Sequence, residues 1–220
     1  GMHTYVKGAG MAMETIAREL VPAGGESVKE RKSKQENSLK INILGATPLD
    51  FSINSTLDFI KEFLSRHFEI ISTFAMGSSI EDIQRAGEAD VNLVISSVGV
   101  LAAKVLEERF HTPYVIGTPI IGFENVLAEK LIESAWTKKS QTAYFSVLQK
   151  AHKKDTANFT TIQNTEAVSN LKKIRSLTET IEKNKVSGNV YIIGESVISQ
   201  SLKAALALRY GIEATVICPL

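Results

Sequence analysis

The chain has 220 residues, 44% of them apolar and 22% charged, and its 25 Lys and Arg against 24 Asp and Glu leave a formal net charge of +1. That length allows one or two domains with a proper buried core, and that balance gives no electrostatic reason to expect nucleic acid or an anionic membrane as a partner. One cysteine, Cys218, excludes an internal disulfide framework and suits a reducing compartment, and no apolar run approaches the roughly 18 residues that cross a bilayer.

At the start, Gly1-Met2 reads as a tag scar and the residues after it form no signal peptide, so a soluble, cytoplasmic protein is expected. Met13, Ile16, Ala17 and Leu20 recur at helical spacing and predict a short amphipathic helix over Met11–Val21. Pro22-Ala23-Gly24-Gly25-Glu26 ends it. The stretch Lys29–Lys40 is rich in charge and amide and reads as an exposed linker of low order. A basic patch for nucleic acid is the sharper reading, against which stand Glu30, Glu36 and the lack of aromatics.

From Lys40 the pattern changes. Ile41-Asn42-Ile43-Leu44, closed by Gly45, predicts a buried strand. Leu57, Ile60, Phe63 and Leu64 fall on one face of a helix over Ser55–Arg66, and Phe68–Phe74 reads as a second strand. Ser78 and Glu81, three apart, predict a capping box that opens a helix running to about Glu88. Val91–Ile95 is a third, β-branched strand; Leu101, Val105, Leu106 and Phe110 mark a helix; Tyr114–Ile116 is a short strand and Asn125–Trp136 a further helix. Strands alternating with helices at this spacing predict an α/β fold: a Rossmann-like parallel sheet with helices on both faces, over residues 40–136.

No strand is predicted between Thr137 and Val186, where Ala143–Lys154 and Glu166–Lys185 read as helices, so residues 137–187 are expected to form a helical connection. Asn189–Ile193, Ser201–Tyr210 and Glu213–Cys218 then predict a strand, a helix and a strand. This single βαβ unit, 188–220, cannot bury both faces of its strands by itself. Either it docks onto the first sheet or it opens a second Rossmann-like domain in a longer protein; the second is the expectation, with an exposed apolar face on the unit.

Open parallel sheets bind ligands beyond the carboxyl ends of their strands, so the strand-end loops carry the candidate site. They read Gly45-Ala46-Thr47-Pro48, Met76-Gly77-Ser78-Ser79, Ser96-Ser97-Val98-Gly99 and Gly194-Glu195-Ser196. The residues selected for ligand contact are Gly45, Thr47, Gly77, Ser78, Ser79, Ser96, Ser97 and Glu195; glycine and serine also simply suit turns and caps at such places. Glu195 reads either as a general base or ligand contact, or as the cap of the following helix. No G-x-G-x-x-G and no Walker A sequence is present. His3, His67, His111 and His152 are scattered with no pair at metal-ligand spacing, so no metal ligand is assigned. His67 and His111 sit near helix ends, where a cation suits the dipole, and Cys218 reads as a small core residue.

Several of these segments resemble one family. Gly77-Ser78-Ser79-Ile80-Glu81-Asp82-Ile83, Ala86 to Ala89 and Val91-Asn92-Leu93-Val94 are similar to the second domain of nitrogenase component 1-type oxidoreductases. That family holds the nitrogenase α and β subunits, their cofactor-assembly scaffolds and the dark-operative protochlorophyllide reductases. Ile41-Asn42-Ile43-Leu44-Gly45, and Leu106-Glu107-Glu108-Arg109-Phe110 with Pro113-Tyr114, fit the same pattern. Ile192-Ile193-Gly194-Glu195 with Ser201-Leu202 resembles the start of the third domain, and Gly8–Val21 the helix closing the first. The resemblance implies an interior segment, residues 1–39 closing a preceding domain. It implies a larger subunit paired with a second nitrogenase-like subunit or a homodimer mate. It further implies an ATP-dependent iron protein as electron donor, and an iron–sulfur cluster in the whole protein but no cofactor in this segment. In the α subunit of nitrogenase, the cofactor's cysteine ligand follows the third strand by two positions, which lands on Ser96 here, and the histidine near the cofactor falls at about Gly10. A hydroxyl does not replace thiolate on iron, whereas the tetrapyrrole-reducing branch places an organic substrate at that position. The implied function is one wall of an interdomain pocket for a metal cluster or tetrapyrrole-type substrate, inactive alone. A non-catalytic scaffold or chaperone using the same pocket is the second reading, and an unrelated nucleotide-binding domain the third.

Overall fold

The computed structural model describes residues 4–23, 38–51, 56–136 and 189–218. In chain order these form α1 (Tyr5–Glu19), β1 (Leu39–Leu44), α2 (Thr56–Ser65), β2 (Phe68–Thr73), α3 (Ile80–Gln84), β3 (Val91–Val94), α4 (Val100–Phe110), β4 (Tyr114–Ile116) and α5 (Glu124–Trp136). They close with β5 (Val190–Ile193), α6 (Ser196–Tyr210) and β6 (Ala214–Ile217), and 3₁₀ turns at Arg85–Glu88 and Ser97–Gly99 lead into β3 and α4. The helices predicted over 143–154 and 166–185, and most of the linker, lie outside the described residues.

The first four strands make one parallel sheet in the order β2-β1-β3-β4. Strands this apolar need cover on both faces. Leu44, Val94 and Phe74 join Met13 and Ala17 of α1, Ile83 and Ala86, and Val98, Ala102, Val105 and Leu106 around α4 in one buried cluster. The alternate side chains, Ile41, Ile43 and Leu93, are fully buried too, and α2 and α5 pack on β2, β3 and β4. α1 is fastened from afar: the Arg109 guanidinium donates to the Ala17 and Arg18 carbonyls, both at 2.8 Å, supplying a cation to the acceptors at a helix end.

A polar ladder runs through the sheet at one level. The Asn42 amide donates to Asn92 Oδ1 and to the Ala86 carbonyl, each at 2.8 Å, and accepts from Ser72 Oγ at 2.8 Å. Asn42 pairs in register with Asn92 on one side. On the other, a bulge between Ile41 and Asn42 skips Ile71 and sets Ser72 opposite Asn42. All three side chains are buried, and the bulge is what brings the hydroxyl into line.

Several boundaries differ from the sequence reading. α1 begins at Tyr5, six residues before the predicted start, because its buried stripe is Gly10, Met13 and Ala17, and glycine gives no apolar signal. The capping box is Ser79 with Asp82, one residue later than Ser78 with Glu81. Ser78 is taken instead by the Thr73 N–H, which donates to its Oγ at 2.6 Å. α3 ends at Gln84, and a 3₁₀ turn covers the remaining residues to Glu88. α6 starts at Ser196, since Glu195 rather than a later residue caps it.

β5 and β6 pair with each other, in parallel, as a second sheet. α6 covers one face. The other carries Tyr191, Ile193 and Ile217 at 56%, 72% and 46% exposure, an exposed apolar face as expected of a lone βαβ unit. Cys218 is exposed rather than a core residue, because it follows the last paired residue of β6, beyond the cover of α6.

Candidate functional site at the strand tips

Because all four strands of the first sheet run the same way, their carboxyl ends lie along one edge. The chain leaves β1 toward β2 on one side and returns to β3 on the other, so the topological switch falls between the tips of β1 and β3, where α/β sheets place ligands. Gly45 and Ser96 flank it. Gly45 takes a positive φ of 91°, and the buried Ser96 hydroxyl donates to the Gly45 carbonyl at 2.7 Å. Gly99 lies against the same turn: a methyl there would stand 2.6 Å from the Leu44 carbonyl carbon and 2.7 Å from the Gly45 nitrogen. The two tips are therefore packed backbone to backbone.

Glu195 sits over this junction. Its Oε2 accepts from the Ile198 N–H at 2.9 Å, capping α6, and its Oε1 accepts from the Ser97 N–H at 2.8 Å and from its neighbour Ser196 Oγ at 3.2 Å. The capping reading of Glu195 holds, and the carboxylate also reaches 98 residues back along the chain. Neither the 3₁₀ turn at Ser97–Gly99 nor the start of α4 has a side-chain cap of its own. Glu195 supplies an acceptor there.

The remaining candidates form separate turns. Thr47 is buried, and its hydroxyl donates to Asp50 Oδ2 at 2.9 Å while its carbonyl accepts from the Asp50 and Phe51 N–H groups. Gly77, at φ 83°, lies beside Lys61 Nζ, and Ser78 and Ser79 tie the tip of β2 to α3 as described. The structure thus joins Gly45, Ser96, Ser97 and Glu195 into one chain of contacts, and leaves Thr47 and the Gly77-Ser78-Ser79 turn apart from it.

One tip was missed by sequence. Thr118, just past β4, donates its N–H to Ser201 Oγ of α6 at 2.9 Å and its hydroxyl to the Ile95 carbonyl at 2.8 Å. The signal was legible: Gly117-Thr118-Pro119 repeats, one residue shorter, the Gly45-Ala46-Thr47-Pro48 that follows β1.

The perturbed titrations lie at the opposite edge of the sheet. The Glu88 carboxyl is held below the usual range, first by hydrogen bonds from Arg85 at 2.8 and 2.9 Å and then by Lys40, with burial opposing. Arg85 is raised in turn, chiefly by its bond to Glu88. This triad sits at the amino-terminal ends of β1 and β3, away from the strand tips, which makes it a structural ion-pair network. Among the described residues no group of three or more His, Cys, Asp or Glu is placed to hold a metal ion. With Ser96 bonded to Gly45 and Cys218 the sole thiol in the chain, these residues do not fit an iron–sulfur cluster. No helix among the described residues is long and apolar enough to cross a membrane.

The family model described as "Nitrogenase component 1 type Oxidoreductase" matches residues 2–217. A light-independent protochlorophyllide reductase subunit of Rhodopseudomonas palustris is 34% identical over 110 residues, 49% of this chain and 20% of that protein. The corresponding reductase subunit of Nostoc punctiforme is 32% identical over 82 residues, 36% of this chain and 16% of its own length. Among solved structures, "Nitrogenase Cp1 at pH 6.5" aligns with a TM-score of 0.57 at 17% identity, covering 99% of this chain and 37% of that one. The structure titled "Nitrogenase Cp1 at pH 5" gives 0.54 at 18% identity. At that identity the likeness is one of fold, and the matches span a fifth or less of the reductase subunits' length.

Proposed function

The chain belongs to the nitrogenase component 1-type oxidoreductase family, and from that premise we propose that it is a segment of a larger reductase subunit, forming one wall of an interdomain pocket for a tetrapyrrole-type substrate. The similarity to light-independent protochlorophyllide reductase subunits carries this reading. Ser96 supports it: where the resemblance places a thiolate ligand, the chain has a hydroxyl bonded to its own backbone, so the segment contributes shape and hydrogen-bonding groups rather than cluster ligands. The wall is the row of tips after β1, β2 and β3 with Glu195 above them. A partner subunit, an ATP-dependent iron protein as electron source and a cluster held outside this segment complete the proposed enzyme, and the segment alone is inactive.

The test uses the longest natural polypeptide containing this chain, purified without oxygen and titrated with protochlorophyllide. Saturable binding with a shifted porphyrin absorption band is expected, weakened by bulky substitution at the Gly77-Ser78-Ser79 turn, where Gly77 and Ser79 are exposed, as in Ser79→Trp. Absence of any spectral change in a folded, intact protein would sink the proposal. A non-catalytic scaffold is the second reading, favoured by the Glu195–Ser97 bond, which closes the junction of β1 and β3. It predicts binding without turnover when a reductant and the electron donor are supplied.

A further inference from the structure

We propose that Glu195 is a clasp that holds the β5–α6–β6 unit closed over the tip of β3, and that its release opens the junction between the two sheets as a unit. The inference rests on the described contacts and does not depend on which ligand the protein takes. A single carboxylate bonds the N–H of Ser97, at the start of the turn into α4, and the N–H of Ile198, in the first turn of α6. Each bond is charge-assisted, the stronger class of hydrogen bond, and loss of the carboxylate removes both together.

What surrounds the clasp is fit for opening. The face that α6 buries is made of Val197, Ser199, Ser201 and Ala205, side chains that are mostly small or polar. The second tie across the junction is also a hydrogen bond, from Thr118 N–H to Ser201 Oγ, and that hydroxyl donates back to the Val197 carbonyl of its own helix at 2.8 Å. Gly122 meets the aliphatic stem of Arg209 nearby. A contact tied by two hydrogen bonds and mostly small buried side chains separates at lower cost than the apolar core of the sheet beside it. Among the described residues no β-ladder joins β5 or β6 to the first sheet, so opening breaks no strand pairing there.

Chain length at position 195 separates a clasp from a plain cap. Aspartate is a good helix cap, but it is one methylene shorter and does not reach both N–H groups. In hydrogen–deuterium exchange of the full chain, Glu195→Asp is expected to speed exchange at Ser97 about tenfold or more while the first turn of α6 stays protected. Glu195→Ala should speed both. In the unmodified chain, the Ser97 and Thr118 amides should exchange together, at least about tenfold faster than Asn92 and Ile95, whose N–H groups bond within the first sheet. Exchange at Ser97 unchanged in Glu195→Asp, or Ser97 and Thr118 as protected as Ile95 in the unmodified chain, would overturn the proposal. The measurement on the unmodified chain decides it even where a variant does not fold.

Discussion

The molecule contains the same supersecondary unit in two settings. β1–α2–β2 and β5–α6–β6 are both parallel strand pairs joined by a helix, but the first lies in a four-stranded sheet with helices on both faces and the second stands as a pair with one face exposed. In the first, even Asn42 and Ser72 are buried and bonded to one another; in the second, Ile193 and Ile217 are 72% and 46% exposed. Identical local topology therefore does not yield identical packing. What differs is the number of neighbours, since parallel strands bury both faces only when other layers reach them.

The sharpest way to break this contrast is Gly99→Ala, whose methyl would collide with backbone atoms of Leu44 and Gly45. A loss of about 3 kcal/mol or more, or failure to fold, is expected by urea denaturation. A cost near zero would mean that the tips are looser than described. Asn42→Ala comes next, since it strands the Ala86 carbonyl, Asn92 and Ser72 inside the core. About 2–4 kcal/mol is expected from the same measurement.

Much of this was readable beforehand, and the exceptions have physical causes. Every strand of both sheets showed in short runs rich in apolar and β-branched residues, β1 and β3 with a single asparagine each among buried neighbours. The start of α1 was hidden because its buried stripe there is Gly10, which packs beside Val98 and Leu101 without an apolar side chain of its own. A glycine in such a stripe reads in sequence as an absence of signal. The capping box slipped by one because Ser78-Ser79 and Glu81-Asp82 offer two equivalent registers, and only the Thr73 N–H chooses between them. At the candidate site, the caps and turns were legible from residue type. The reach of Glu195 to Ser97 was not, being a contact across 98 residues that no local pattern encodes.

A smaller effect distinguishes the ion-pair edge from the tips. Glu88 titrates below its unfolded value, so the stabilisation it brings is present above about pH 4.5 and is lost as pH falls through the folded value. Glu88→Gln should therefore cost up to about 1 kcal/mol at neutral pH, allowing for its partial exposure, and the difference from the parent should shrink in acid. A gap that stays constant with pH would assign the loss to packing. Least of all, Ile193→Thr on the exposed face should shift stability by no more than about 0.5 kcal/mol. Its readout is light scattering, where reduced self-association is expected; a large destabilisation would show that the face is covered in solution.

The grip of Arg109 on the last carbonyls of α1 bears on how the chain could be rearranged. Arg109 lies more than 90 residues from the groups it holds, and Met13, Ala17 and Val21 sit in the same buried cluster as α4. The helix is thus docked by its side and its end, through contacts that do not depend on the covalent path of the chain. Supplied as a separate peptide, this stave is expected to bind back to the remainder of the chain in the same berth.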